Sequence, residues 1–158
     1  MCACCADHGE AFGEHGMRFH GNNFFEEEVR VPFVMKLPLA PPSTVEVPVS
    51  LIDIAPTLVT ALEMDVPAVW QGQDLMPLVR GDPSAYRGAA FFDVVQFKGI
   101  VEWPHKMIWD SKQNWIGLYN LDADPAERTN LYAPGDTTTA HLKRRLDECM
   151  EAELNPWF

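Results

Sequence analysis

Positive charge is scarce in this chain. Its 158 residues carry 12 Lys and Arg against 23 Asp and Glu, a formal net charge of −11. A surface that acidic repels nucleic acid and anionic membranes, so neither is expected as a partner. The run Lys143-Arg144-Arg145 is too short, and too close to Asp147 and Glu148, to act as a basic patch. An anionic substrate would need a local positive centre to offset the field. Cysteine is sparse too, and four residues do not make a disulfide framework in a chain of this size. Cys2, Cys4 and Cys5 sit together, but no second CxxC exists to complete a tetrahedral zinc set. They read as part of a small apolar strand. No apolar run approaches the roughly 18 residues of a membrane helix. No basic n-region followed by an apolar stretch is present, so no address is read from these residues. G-x-S-x-G, the P-loop and the dinucleotide fingerprint are all absent from the sequence.

What is present is a core. Hydrophobic residues make up 47% and charged residues 22%, the proportions of a globular chain. Residues 2–6 predict a buried strand that ends in a Gly-containing loop at Asp7-His8-Gly9-Glu10. Phe24 to Val29 suits a short helix, with Glu26, Glu27 and Glu28 as its solvated face. Val31 to Leu37 predicts a second buried strand, and Pro38 to Val49 a connector. Ser50-Leu51-Ile52-Asp53 has the form of a capping box. The helix it opens tolerates Pro56 in its first turn and continues to Met64. Strand, helix, strand, helix in that order predicts parallel pairing and an α/β architecture. Two strands cannot cover both faces of a parallel sheet, so the first half is expected to pack against further material.

The second half changes character. Phe91 to Phe97, Gly99 to Asp110 and Trp115 to Leu121 are aromatic and β-branched, and predict an antiparallel meander. Trp103, Trp109 and Trp115 are expected in its core. Asp122 to Glu127 predicts a turn. A last helix opens at Thr137–Thr139, with Leu142, Leu146, Cys149, Met150 and Leu154 along one face.

Candidate chemistry gathers near the start. Asp7 and His8 fall at the carboxyl end of the first strand, where open α/β sheets bind ligands. A carboxylate beside an imidazole offers one hard oxygen and one nitrogen to a divalent cation, and Gly9 lets the backbone turn away. Two ligands do not close a site, so other segments must supply the rest. Three of the five histidines, His8, His15 and His20, fall within 13 residues of a Gly-rich stretch. Such a loop is expected to be flexible unless a ligand orders it. His20 could donate to an anionic oxygen or act as a general acid, and Arg30 could pair with a carboxylate.

Several blocks together resemble the metal-binding and C-terminal segments of the sulfatases, a family of the alkaline phosphatase superfamily. They are Ala6-Asp7-His8-Gly9-Glu10, Phe12-Gly13-Glu14-His15-Gly16, His20-Gly21, Glu26-Glu27 and Arg30-Val31-Pro32. Val49 to Leu58 resembles the family's helix opening, and Gly72-Gln73-Asp74-Leu75-Met76-Pro77-Leu78 its following loop. Leu118-Tyr119-Asn120-Leu121, Asp124-Pro125, Glu127 and Asn130-Leu131 resemble the turn that closes its C-terminal sheet.

The resemblance implies a partial alkaline-phosphatase-like parallel sheet, followed by a small antiparallel sheet with a C-terminal helix. Residues 1–82 would be the C-terminal part of the catalytic α/β domain, and 83–158 the terminal subdomain. Asp7 and His8 would ligate a divalent metal, usually Ca2+, and His20 would contact the sulfate. The substrate would be a small sulfate ester or a sulfated glycan. The family's formylglycine nucleophile comes from a Cys/Ser-x-Pro/Ala-x-Arg motif, and Cys2-Ala3-Cys4-Cys5-Ala6 is not that motif. The chain therefore reads as the C-terminal portion of a sulfatase, inactive by itself. A phosphodiester or phosphonate hydrolase of the same superfamily, or a non-catalytic remnant, stays open as the alternative.

Overall fold

The computed structural model describes residues 1–21, 23–37 and 42–154, with side chains described to residue 151. Strand β1 (Cys2–Cys5) leads into a minimal hairpin of β2 (Ala11–Phe12) and β3 (Arg18–Phe19). A single helical turn, α1 (Glu26–Val29), follows, and β4 (Phe33–Lys36) returns alongside β1. Cys2 lies opposite Lys36 and Cys5 opposite Phe33, so the pair is antiparallel. This corrects the expected parallel pairing. A parallel pair needs a crossover, usually a helix long enough to span the sheet. Here the connection is spent on the β2–β3 hairpin and a four-residue helix, which fold the chain back on itself. The strand expected over the cysteines is present, but it is exposed along its whole length rather than buried.

Beyond the expected connector, of which residues 38–41 lie outside the described residues, the capping box forms as the sequence requires. Ser50 donates its amide to Asp53 Oδ2 at 2.9 Å. A 3₁₀ turn over Leu51–Asp53 then passes into α2 (Ile54–Ala61). The helix stops short of Met64, because Glu63 takes a left-handed φ of 59° and ends the ladder. Asp53 is fully buried and is more than a cap. It accepts from the Gln73 amide at 2.8 Å, the Tyr86 hydroxyl at 2.8 Å and the Arg87 guanidinium at 2.9 Å. One carboxylate thus fastens α2 to the 71–73 loop and to the chain entering the next sheet. That loop passes so close that a Cβ on Gly72 would stand 2.0 Å from the Ile52 carbonyl oxygen. After α3 (Met76–Val79) the chain reaches that sheet.

The sheet is a four-stranded meander of β5 (Ala89–Val94), β6 (Phe97–Glu102), β7 (His105–Asp110) and β8 (Trp115–Asn120), antiparallel throughout. The segment read as one strand from Gly99 to Asp110 is two, split by the turn at Trp103-Pro104. Both faces are covered. Ile100, Met107 and Leu118 point to one side, where Leu142 and Leu146 of α4 (Thr137–Leu154) pack and Met150 joins them. Val101, Ile108 and Tyr119, each one residue further on, point to the other side and meet Phe24, Phe25 and Val29. The period-two alternation of a strand sets this division. Of the three tryptophans expected in the core, Trp103 and Trp115 are exposed where the strands end and Trp109 is half-buried. Of the helix positions expected on the apolar face, Cys149 is half-buried, and the Leu154 side chain lies outside those described.

Candidate functional site

The turn after β1 carries Asp7 and His8. His8 Nδ1 lies 2.8 Å from the Gly9 carbonyl oxygen. A carbonyl only accepts, so Nδ1 carries the proton, and the neutral ring keeps its lone pair on Nε2. That nitrogen lies 3.9 Å from Asp7 Oδ2. The Asp7 side chain is 91% exposed and that of His8 45%, so both side chains reach solvent. A metal-binding imidazole commonly donates its other N–H to a backbone carbonyl in this way. The hydrogen bond to Gly9 also raises the His8 pKa, helped by the negative charges of Asp7, Glu10 and Glu28.

His20 joins this pair in space. Its ring stacks on that of His8 with centroids 3.8 Å apart and planes 29° from parallel. Its Nδ1 lies 3.3 Å from both carboxylate oxygens of Glu10. The three side chains singled out from the sequence thus gather at one point, with Glu10 as a fourth. Among the described residues no group of three or more His, Cys, Asp or Glu is arranged to hold a metal ion. Asp7 and His8 fit as two ligands and not as a complete set. An open apolar groove lined by Cys5, Ala6, Leu51, Ile54, Ala55 and Leu58 runs up to Asp7.

The three glutamates are not a solvated face, which corrects that expectation: Glu28 is buried, Glu26 and Glu27 are half-buried, and Glu27 and Glu28 hydrogen-bond the exposed glycine-rich loop. Glu28 is 5% exposed. One of its oxygens accepts from the Gly21 amide at 2.7 Å and the other from Asn23 Nδ2 at 2.7 Å. Glu27 lies 2.8 Å from His15 Nδ1. The other nitrogen of His15 is 3.2 Å from the Glu127 carbonyl oxygen, and the ring stacks flat on Phe25 at 3.7 Å. Glu26 lies 2.9 Å from Lys106 Nζ, while its amide donates to Glu127 Oε2 at 2.6 Å. Arg30 stays exposed, 3.9 Å from Glu26.

Lys106 was not legible as a special residue. It sits in β7 on the face toward α1 and is wholly buried, with Glu127 Oε1 at 3.0 Å as its second counter-charge. Burial raises the Glu127 pKa, and Lys106 opposes that shift. The one available signal was the alternation of β7, which puts a lysine on the inward side with Ile108.

Comparison with known proteins gives the family and the fold. Residues 13–154 match the family model described as N-sulphoglucosamine sulphohydrolase, C-terminal. The choline-sulfatase of Rhizobium meliloti is 34% identical over 137 residues, which are 80% of this chain and 26% of that protein. The ulvan-active sulfatase of Formosa agariphila is 28% identical over 162 residues, covering 94% of this chain and 31% of its own. The chain therefore spans about a quarter to a third of the length of these two relatives. Among solved structures, a 2-O GAG sulfatase superposes with a TM-score of 0.75 at 22% identity, over 97% of this chain and 36% of that one. A phosphonate monoester hydrolase from Silicibacter pomeroyi gives 0.73 at 19% identity, over 98% of this chain and 35% of that one. At that level of identity these likenesses speak for the fold.

Proposed function

Because the chain belongs to the sulfatase family, as its C-terminal part, we propose that it supplies Asp7 and His8 to a divalent cation and His20 to the substrate in the hydrolysis of a sulfate ester. The observation that carries this reading is the orientation of the His8 ring: Nδ1 lies 2.8 Å from the Gly9 carbonyl oxygen, which leaves Nε2 toward the Asp7 carboxylate at 3.9 Å. Calcium is the cation the family resemblance suggests; the Asp7 carboxylate suits it as a hard oxygen ligand, and the His8 nitrogen is the softer of the two donors. Bound there, it would supply Lewis-acid polarisation of a sulfuryl oxygen.

The chain's own groups have separable tasks. Asp7 supplies negative charge to hold a cation. The Gly9 carbonyl holds the His8 ring in one orientation. His20, on the far side of the stacked pair, would donate from Nε2 to an anionic oxygen when its ring carries both protons, with Nδ1 donating to Glu10. The family's nucleophile is a formylglycine, and residues 1–158 hold no Cys/Ser-x-Pro/Ala-x-Arg motif to form one, so this reading needs that group to come from another segment. Residues 1–82 then form the C-terminal part of the catalytic α/β domain and 83–158 the terminal subdomain. Sulfated glycans and small sulfate esters are the substrate classes, as the names of the choline and ulvan relatives suggest. Hydrolysis of a phosphonate ester is the second reading, favoured by the likeness to the Silicibacter pomeroyi hydrolase.

Calorimetric titration with CaCl2 tests the cation reading. The wild-type chain is expected to give heat that Asp7→Ala and His8→Ala lose. Equal heats for all three would overturn the assignment. A protein that joins this chain to its nucleophile segment separates the two esters: sulfate release from an aryl sulfate should exceed turnover of an aryl phosphonate.

A further inference from the structure

We propose that Glu28 is a positioning residue that sets the distance between His8 and His20. The proposal deepens the functional reading above and rests on it for its meaning, though not for its test. His8 and His20 come from opposite ends of a loop and touch through stacked rings. Helix α1 grips both ends. Toward His8, the Gly9 amide donates to the Glu28 carbonyl oxygen at 2.7 Å, and the backbone passes so close that a Cβ on Gly9 would lie 2.1 Å from the Glu27 carbonyl oxygen. Toward His20, the next residue, Gly21, donates its amide to Glu28 Oε2, and Asn23 donates Nδ2 to Glu28 Oε1. Asn23 is itself committed, because its Oδ1 accepts from the Phe25 amide at 2.7 Å. One residue therefore holds the turn after His8 through its backbone and the turn after His20 through its side chain.

The polarity of this arrangement is fixed, and that makes it testable. Glu28 faces two donors and meets both as an acceptor. A glutamine of the same size would accept one and oppose the other with its own N–H. Asn23 cannot flip to help, since that would turn its amide nitrogen toward the Phe25 N–H. An aspartate at 23 paired with a glutamine at 28 reverses the donor between them and keeps every other hydrogen bond. Glu28→Gln alone and Asn23→Asp alone should break the grip, and the double variant should restore it.

The readout is the nuclear Overhauser contact between the His8 and His20 rings, measured on the full chain labelled at histidine and phenylalanine, without added divalent ion. The His15–Phe25 stack serves as the internal reference, since Glu27 holds it. We expect both single variants to lose the His8–His20 contact, keep the His15–Phe25 contact, and regain the first in the double variant. A His8–His20 contact that survives both single variants would overturn the proposal. So would a double variant that stays broken, or loss of the reference contact together with the first. Failure of the calcium titration leaves this result intact, so the two readings fail separately.

Discussion

Lys106 and Glu127 meet at 3.0 Å with neither side chain reaching solvent. The lysine comes from the middle of the terminal sheet and the glutamate from the turn after it, and Glu26 of α1 completes the group. Two carboxylates share one ammonium here, so the cation is what allows them to lie together.

Replacing that cation should be severe. Lys106→Met keeps the aliphatic volume and leaves Glu26 facing Glu127 with no counter-charge. Breaking a buried pair by removing one partner costs about 3–5 kcal/mol. Urea denaturation followed by tryptophan fluorescence should show a loss of that order. A change below about 1 kcal/mol would mean that the site takes in water or protons freely.

Gly9→Ala should act locally. The added Cβ would collide with the Glu27 backbone, and backbone cannot swing aside as a side chain can. Overpacking of this kind costs roughly 1–3 kcal/mol. The turn bearing Asp7 and His8 should lift off α1, with loss of the His8–His20 contact and of calcium heat. The amide resonances of β6 and β7 should stay in place.

Tyr119 gives a pH signature. Burial, with Glu127 and Asp124 adding negative charge, pushes its phenol up to about 12. The unfolded phenol ionises near 10, so the folded chain holds the extra proton between those values. This group's stabilising contribution is complete below pH of about 10 and fades as pH climbs toward 12. Absorbance at 295 nm should show a phenol ionising at about 12 that disappears in Tyr119→Phe, while the buried Tyr86 phenol, held by Asp53 and pushed higher still, remains.

The exposed cysteine strand predicts thiol reactivity. Cys2, Cys4 and Cys5 are free and exposed, whereas Cys149 is half-buried. Ellman's reagent should titrate three thiols quickly and one slowly in the native chain.

Local signals were the ones that could be read from the sequence. Ser50 and Asp53 declare a helix start by their spacing alone, and the structure builds that cap. The meander and the Leu142–Leu146 face follow from periods of two and of about 3.6 residues along single segments. Asp7, His8 and His20 were found through resemblance, and the structure brings them together. What could not be read were partners brought in from far along the chain. Glu26 looks like any surface glutamate until Lys106, 80 residues away, is placed against it. The antiparallel sense of β1 and β4 was hidden for a related reason. Element order predicts a crossover only when the connecting helix is long enough to make one, and α1 has four residues.

The buried ammonium of β7 has a consequence for how this stretch of polypeptide can be cut. An excerpt that started after Arg30 would keep the meander and its helix, yet would strand Lys106 with one carboxylate and an empty cavity where Glu26 had been. The opening thirty residues and the closing sheet thus share one buried charge group, and a truncation that removes Glu26 should lower the urea midpoint of what is left.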